Sequence, residues 1–159
     1  MSTTPVNIHA TAIVIGTKGL LFTGPSGSGK SMLAFTCIAA ARRQGAFAAL
    51  VADDQVLVSR HGDHLLATRP EPIAGLIELR GSGIARVESV SAAALDLAVE
   101  IISLPEDERL PPENERFRIP GLGDLPLVRI WRGAADPLAV LAASRLIFTP
   151  RCRFDHPEA

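Results

Sequence analysis

Short apolar runs, separated by glycine and polar residues, dominate the first part of the chain. Runs of this length bounded by turn residues predict β-strands. The predicted strands cover residues 13–16, 20–23 and 47–52, followed by the polar-edged pair 55–60 and 64–68. The segment His61-Gly62-Asp63-His64 joins that pair and predicts a hairpin turn. A metal-binding histidine pair is the alternative, but no cysteine or acidic cluster completes a ligand set.

Helical spacing is present at two places. Residues 32–44 predict a helix that ends before Gly45, a typical C-terminal cap. Its apolar positions are Leu33, Cys37, Ala40 and Ala41, and Arg42 and Arg43 lie in its last turn. A second helix is predicted from Asp136 to about residue 146, with Asp136 as N-cap and Pro137 at the first helical position.

The remaining segments are less regular. Runs at residues 73–79, 84–87 and 125–131 predict further strands, whereas residues 95–103 fit either a strand or a helix. The proline-rich residues 105–115 predict an exposed loop, with a mobile lid as the alternative. Residues 150–159 predict a flexible tail. The order of elements predicts a mixed α/β domain.

Length and composition limit the possible functions. The chain has 159 residues, 47% hydrophobic and 21% charged, which is typical of one soluble globular domain over residues 1–159. A formal net charge of −1 gives no reason to expect a nucleic-acid or membrane partner. Cys37 and Cys152 are isolated, which favours reduced thiols, and with no signal-peptide pattern we expect a cytoplasmic location.

One motif has a specific chemical role. Residues 24–31 match the phosphate-binding pattern G-x-x-x-x-G-K-[ST], as Gly24, Pro25, Ser26, Gly27, Ser28, Gly29, Lys30 and Ser31. Glycines let backbone N–H groups converge on phosphate oxygens, while the lysine reaches the β- and γ-phosphates and the serine hydroxyl binds Mg²⁺. A predicted strand precedes the motif and a predicted helix follows it. The sequence therefore predicts binding of a nucleotide such as ATP together with Mg²⁺.

Acidic residues end two of the apolar runs. Asp53 and Asp54 follow residues 47–52, at the kind of strand end where α/β sheets bind ligands. Because adjacent strand residues point to opposite faces, one carboxylate is expected to face the nucleotide and the other to support it; a solvated pair is the alternative. Glu78 and Arg80 suit metal binding and phosphate clamping, or a surface ion pair. No guanine-reading N-K-x-D or T-K-x-D tetrapeptide is present, which favours a small kinase over a GTPase.

Four segments together resemble the catalytic domain of the HPr kinase/phosphorylase family. They are residues 8–12 (IHATA), the phosphate-binding loop 24–31, residues 51–54 (VADD) and residues 77–84 (IELRGSGI). The last segment matches a hydrophobic-E-hydrophobic-R-G-x-G-I pattern that separates this family from most other proteins with a phosphate-binding loop. The resemblance extends over about residues 6–116.

The resemblance implies a P-loop-containing kinase domain with a mixed central sheet, in a short form that consists of the C-terminal catalytic domain. It implies a serine kinase that acts on an HPr-type phosphocarrier protein and regulates a bacterial phosphotransferase system. The donor would be ATP or pyrophosphate, and the same site would remove the phosphate by phosphorolysis with inorganic phosphate. The family also implies a homo-oligomer, a hexamer.

The resemblance further implies roles for individual residues. Lys30 and the loop amides would hold the β- and γ-phosphates. Ser31 and Glu78 would bind Mg²⁺, and we assign Asp54 to the same metal site. Asp53 would exchange the proton of the acceptor serine, with His9 close to it and tuning it. Arg80 would position phosphates or the protein substrate.

The C-terminal part departs from the family pattern. Full-length members carry a basic element needed for phosphorolysis, for which Arg129 and Arg132 are the nearby candidates. Two other functions therefore stay open: a nucleotide-binding sensor module with weak catalysis, and a P-loop kinase for a small molecule.

Overall fold

A computed structural model describes residues 3–103 and 110–144 of the chain. Within these residues, eleven strands and two α-helices follow one another along the chain. The strands are β1 (Val6–Ile8), β2 (Thr11–Ile15), β3 (Lys18–Thr23), β4 (Ala48–Ala52), β5 (Val56–His61), β6 (His64–Thr68), β7 (Leu76–Leu79), β8 (Gly83–Arg86), β9 (Ala92–Ile102), β10 (Arg116–Ile119) and β11 (Gly123–Trp131). The helices are α1 (Lys30–Arg43) and α2 (Pro137–Ala143), and Glu71–Ile73 forms a short 3₁₀ turn.

The strands that carry the phosphate-binding loop and its neighbours are side by side in the order β11, β9, β3, β2 and β4. β3 is parallel to β9, and β9 is parallel to β11. β2 is antiparallel to both β3 and β4. The carboxyl ends of β3, β4, β9 and β11 therefore meet at one edge of the sheet, where α/β proteins bind ligands.

β9 joins this part of the sheet to an antiparallel part made of β1, β5 and β6. One side of β9 pairs with β3. On its other side, β9 pairs first with β6, from Ala92 to Leu95, and then with β11, from Ala98 to Ile102. β7 and β8 form a separate two-stranded hairpin.

Two hydrophobic clusters cover the two faces of the sheet. The first packs α1 and α2 onto one face through Phe22, Leu20, Leu33, Ile38, Val99 and Leu141. The second lies on the opposite face, with Leu21, Val56, Val58, Ile119 and Leu125 among its members. In β9, Leu97, Val99 and Ile101 belong to the first cluster and Ala98 belongs to the second. Side chains that alternate between the two faces are typical of a strand, so residues 95–103, which fitted either a strand or a helix, belong to a strand as far as Ile102.

Most predicted elements are confirmed, with shifted ends. α1 begins at Lys30, two residues before the predicted start, and Gly45 follows it with a positive φ of 80°. α2 ends at Ala143, three residues before the predicted end. Gly62 and Asp63 form the predicted hairpin turn between β5 and β6. The sequence did not predict β1 or β10.

Two predicted segments lie partly or wholly outside the described residues. Of the predicted loop or lid at residues 105–115, the structure describes 110–115, which form no helix or strand. The predicted tail at residues 150–159 lies outside the described ranges. Among the helices of residues 3–103 and 110–144, none has the length and apolar character needed to cross a membrane.

Candidate functional site

The phosphate-binding loop encloses a cavity of about 140 Å³ at the sheet edge described above. Four segments contribute its walls: the residues before β2, the loop with the start of α1, the residues after β4, and the β7–β8 hairpin. All the predicted catalytic and metal-binding side chains line this one cavity: His9, Lys30, Ser31, Asp53, Asp54, Glu78 and Arg80. Of the remaining loop residues, Ser26, Gly27 and Gly29 line it, whereas Gly24, Pro25 and Ser28 do not.

Backbone conformation and closely packed neighbouring groups explain why Gly24 and Gly27 are glycines. Gly24 has a φ of 146°, and a Cβ there would lie 2.8 Å from the Ser28 Oγ and 3.3 Å from the Ile101 carbonyl oxygen. Gly27 has a φ of 78°, and its Cβ would lie 3.2 Å from Nη1 of Arg80. Side chains at these positions would be strained and would crowd neighbouring groups, so the loop requires glycine.

Lys30 is nearly buried although it is charged. Its ammonium donates hydrogen bonds to the carbonyl oxygens of Gly24, at 2.9 Å, and Pro25, at 3.0 Å. Burial lowers the pKa of Lys30, and the nearby carboxylates of Asp54 and Asp53 partly offset this shift by favouring the charged form. Because a desolvated ammonium gains strongly from a close anion, this position suits a phosphate group.

Asp53 holds three segments of the site together. Its Oδ1 accepts hydrogen bonds from the Thr11 hydroxyl at 2.8 Å and the Ser31 hydroxyl at 2.6 Å. Its Oδ2 accepts one from the backbone N–H of Glu78 at 3.0 Å. The residue is only 6% exposed. Both carboxylate oxygens are therefore engaged by β2, α1 and β7.

Asp54 has different surroundings from Asp53. Strand β4 ends at Ala52, and Asp54 adopts a left-handed backbone conformation with a φ of 67°. Both carboxylates consequently line the cavity, so the expected alternation between two faces of a strand does not apply. Asp54 is exposed, and its Oδ1 lies 3.0 Å from Nδ1 of His9. The same nitrogen lies 3.1 Å from the backbone carbonyl oxygen of Asp54.

The influence of His9 on Asp53 stays a prediction, and the contact that the structure shows for His9 is with Asp54. His9 contacts Asp54, because the left-handed turn directs the second carboxylate outward toward the segment before β2. Thr11 occupies the place next to Asp53 instead, through its hydrogen bond to Oδ1. Sequence reasoning gave Thr11 no role. A polar residue beginning the apolar strand β2, two positions after His9, is the signal that could have identified it.

The β7–β8 hairpin brings a carboxylate and a cation to the cavity. Glu78 is an exposed residue of β7, and its backbone is fixed by Asp53. Arg80 follows β7, and its guanidinium lies against Gly27 of the phosphate-binding loop. Glu78 and Arg80 therefore line the same cavity as the phosphate-binding loop.

The side chains present fit a nucleotide and a magnesium ion. Positive groups, Lys30 and Arg80, lie on the loop side of the cavity. Oxygen donors of the kind that Mg²⁺ prefers come from Ser31, Asp54 and Glu78, which line the same cavity. The N-terminus of α1, where Gly29 provides no side-chain cap, opens toward the same cavity. Such a helix end attracts phosphate.

This strand, loop and helix, with carboxylates at the end of the nearby strand β4 of the same sheet, define the P-loop kinase fold. The family described as HPr Serine kinase C-terminal domain matches residues 2–105. The chain belongs to this family.

Similar proteins agree with this membership. The HPr kinase/phosphorylase of Burkholderia lata is 34% identical over 144 residues, which cover 84% of this chain and 42% of that protein. The HPr kinase/phosphorylase of Chloroherpeton thalassium is 31% identical over 133 residues, covering 77% of this chain and 37% of that protein. The chain thus spans about two fifths of the length of the curated relatives it matches.

A solved structure supports the fold. The structure of the Hpr(Ser) kinase/phosphatase from Coxiella burnetii superimposes with a TM-score of 0.68 at 24% sequence identity. The match covers 87% of this chain and 92% of that chain. The mixed α/β sheet with its phosphate-binding loop and helix is therefore the fold predicted from the sequence.

Proposed function

We propose that the chain is a serine protein kinase that transfers a phosphoryl group from ATP, or pyrophosphate, to an HPr-type phosphocarrier protein. The observation that carries this proposal is one cavity lined by the phosphate-binding loop, a desolvated lysine, three carboxylates and a histidine. Family membership supports the acceptor class, since the curated relatives are named HPr kinase/phosphorylase. Regulation of a bacterial phosphotransferase system is part of the same proposal.

Charge stabilisation would provide most of the catalysis, as is general for phosphoryl transfer. Lys30 gives up its two loop carbonyl partners to pair with the β- and γ-phosphates, and Arg80 approaches them from the hairpin. Ser31 and Glu78 offer oxygen atoms for Mg²⁺, which would neutralise negative charge on the phosphates when it is bound. Asp53 keeps the Ser31 hydroxyl and the Glu78 backbone in position.

We assign the proton acceptor to Asp54, whereas the sequence favoured Asp53. A general base must reach the hydroxyl from which it takes the proton. Asp53 is buried and both of its oxygens already accept hydrogen bonds from the protein. Asp54 is exposed on the cavity, and Nδ1 of His9, 3.0 Å from its Oδ1, would keep the carboxylate oriented.

The transfer can then be written with its protons balanced. Asp54 takes the proton of the acceptor serine while the serine oxygen bonds to the γ-phosphorus and the bond to the leaving oxygen breaks. Phosphorolysis is the reverse of transfer from pyrophosphate: an oxygen of inorganic phosphate bonds to the phosphorus of the phosphoserine, the bond between that phosphorus and the serine oxygen breaks, and pyrophosphate leaves. The protonated Asp54 returns its proton to the serine oxygen. Microscopic reversibility requires the same residue in both directions. Phosphorolysis at this site is therefore a part of the proposal.

The test is a transfer assay with purified chain, labelled ATP, Mg²⁺ and an HPr-type phosphocarrier, with phosphoserine as the readout. Asp54→Asn is expected to lower the transfer rate by at least about a hundredfold, because general base catalysis contributes this much. ATP affinity should change less than the rate. Asp63→Asn, an exposed aspartate in the β5–β6 turn, is the matched control and should keep full transfer.

Other results would contradict parts of the proposal. Full activity of Asp54→Asn would return the role of proton acceptor to Asp53 or to another group. ATP binding without any transfer to a phosphocarrier would contradict the kinase and favour a nucleotide sensor. Adding inorganic phosphate to the phosphorylated acceptor tests phosphorolysis separately.

The proposal also carries over two properties expected from the sequence, a homo-oligomer of hexameric size and a cytoplasmic location. Sedimentation of the purified chain measures the first. Fractionation of the producing cells, followed by detection of the chain, measures the second.

A further inference from the structure

Trp131 is an exposed aromatic residue at the sheet edge that carries the phosphate-binding loop. It is the only tryptophan of the chain and the last residue of β11, with 49% of its surface exposed. Val128 and Ile130 pack into the cluster beneath α1. Because side chains alternate along a strand, Trp131 points away from that core, and the kinase mechanism described above gives it no role.

Strand pairing fixes where Trp131 lies relative to the loop. Trp131 is in register with Ile102 of β9, and the N–H of Arg132 donates to the Ile102 carbonyl at 2.8 Å. On the other side of β9, Glu100 is in register with Thr23, the residue before the loop. Two strand spacings therefore separate β11 from the strand of the loop, a distance of about 10 Å.

The orientation of the bound donor follows from the charges. The carboxylates of Asp53 and Asp54 lie after β4, on one side of β3, whereas β9 and β11 lie on its other side. The γ-phosphate must point toward the proton acceptor on the β4 side. A donor held in this direction would place its nucleoside over the carboxyl ends of β9 and β11, on the side of Trp131.

The turn after β11 holds the indole in place. A Cβ on Gly133 would lie 2.6 Å from Cζ2 of Trp131, so the ring packs directly on the glycine backbone. The N–H of Ala134 donates to the Trp131 carbonyl oxygen at 2.9 Å and closes the turn. A fixed, half-exposed aromatic ring offers a flat surface on which a nucleobase can stack with little loss of side-chain freedom.

We propose that Trp131 is the stacking surface for the purine base of the nucleoside triphosphate donor. This inference rests on the proposed function, because it extends the same donor site. It separates nucleotide donors from base-free donors: both reach Lys30 and the loop, and only the nucleotide contacts Trp131. Stacking of one base on an aromatic side chain corresponds to roughly tenfold in affinity.

The fluorescence of the single tryptophan tests the inference directly. With Mg²⁺ present, ATP is titrated into the intact chain, and tripolyphosphate serves as the base-free probe. ATP is expected to change the Trp131 emission in a saturable way, while tripolyphosphate binds, as measured by calorimetry, without that change. Trp131→Ala should weaken ATP binding about tenfold and leave tripolyphosphate binding unchanged, and Trp131→Phe should largely retain the ATP affinity.

Phe47→Ala is the matched control. Phe47 is 50% exposed but precedes β4, at the sheet edge opposite the loop, so its removal should alter neither affinity. Equal binding of ATP by the wild type and by Trp131→Ala, with tripolyphosphate still bound, would overturn the stacking surface and leave the kinase proposal intact. Failure of both ligands to bind would overturn the stacking surface and the kinase proposal together.

Discussion

Gly27 and Arg80 form a contact between two motifs that are 53 positions apart in the sequence. The guanidinium of Arg80 occupies the space that a side chain at Gly27 would fill. The signature segment of the β7–β8 hairpin and the phosphate-binding loop are therefore fitted to each other. A glycine that the loop pattern leaves unspecified, x in G-x-x-x-x-G-K-[ST], is required here by its neighbour.

Gly27→Ala is expected to weaken binding of Mg²⁺-ATP by about tenfold or more, because the new methyl group displaces the guanidinium and the positive φ becomes strained. Calorimetric titration measures this affinity. Gly62→Ala is the control, since Gly62 has a φ of 61° with open space around it, in the β5–β6 turn. Similar losses of ATP affinity in both variants would contradict a specific fit between Gly27 and Arg80.

Residue types at the site could be predicted from the sequence, but their partners could not. The loop pattern and the acidic strand ends identified the side chains that line the cavity. The contact of His9 with Asp54 depends on the left-handed backbone at Asp54, and no feature of the VADD segment specifies this conformation. The sequence favoured Asp53 as the catalytic residue because the burial of Asp53 and its three hydrogen bonds depend on tertiary structure, which the local sequence does not show.

At the scale of elements, pairing decided what local patterns left open. Residues 95–103 carry apolar side chains that suit a helix as well as a strand, and the strand forms because β3, β6 and β11 offer partners on both sides. β1 is three residues long and β10 is four residues long, so neither has enough local signal to be recognised. α1 was predictable because its capping glycine and helical spacing agree.

α2 provides a test at this scale. The Asp136 side chain accepts a hydrogen bond from the Ala139 N–H at 3.0 Å and caps a helix of seven residues. Asp136→Ala should lower the free energy of unfolding by about 1 kcal/mol, which corresponds to roughly 2–4 °C in Tm. Thermal unfolding followed by circular dichroism measures it. Asp136→Asn retains an acceptor oxygen and should lose much less; equal losses would contradict the cap.

At the scale of the whole molecule, the packing of α1 and α2 onto the sheet seals one thiol inside the core. Cys37 is fully buried in the cluster that Phe22, Leu50 and Leu141 also form. Burial, with a smaller contribution from the negative charge of Asp136, raises the pKa of Cys37 to about 12. At pH 8 roughly one thiol in ten thousand is therefore ionised in the folded state.

In a Cys152→Ser variant, where Cys37 is the only thiol, the native protein should not react with a thiol reagent at pH 8 over minutes. In denaturant the same thiol should react at once, because its pKa returns toward the ordinary value. The reaction rate in the absence of denaturant then reports how often the whole domain opens. Rapid labelling of the native variant would contradict a closed interface between α1, α2 and the sheet. A Cys37→Ala, Cys152→Ser double variant corrects for nonspecific reaction.

The three hydrogen bonds of Asp53 couple the phosphate-binding loop energetically to the β7–β8 hairpin. Its carboxylate connects Ser31 at the start of α1 to the backbone of Glu78 in the hairpin. A molecule that moves Ser31 therefore alters the free energy of holding the hairpin in place. Thermodynamic linkage makes this effect reciprocal. If a ligand of the phosphate-binding loop changes the affinity of the hairpin for a second molecule, that molecule changes the affinity of the loop for its ligand by the same factor. A phosphate donor and an acceptor protein would then strengthen or weaken each other's binding to an equal extent. The total binding free energy would be the same whichever of the two binds first.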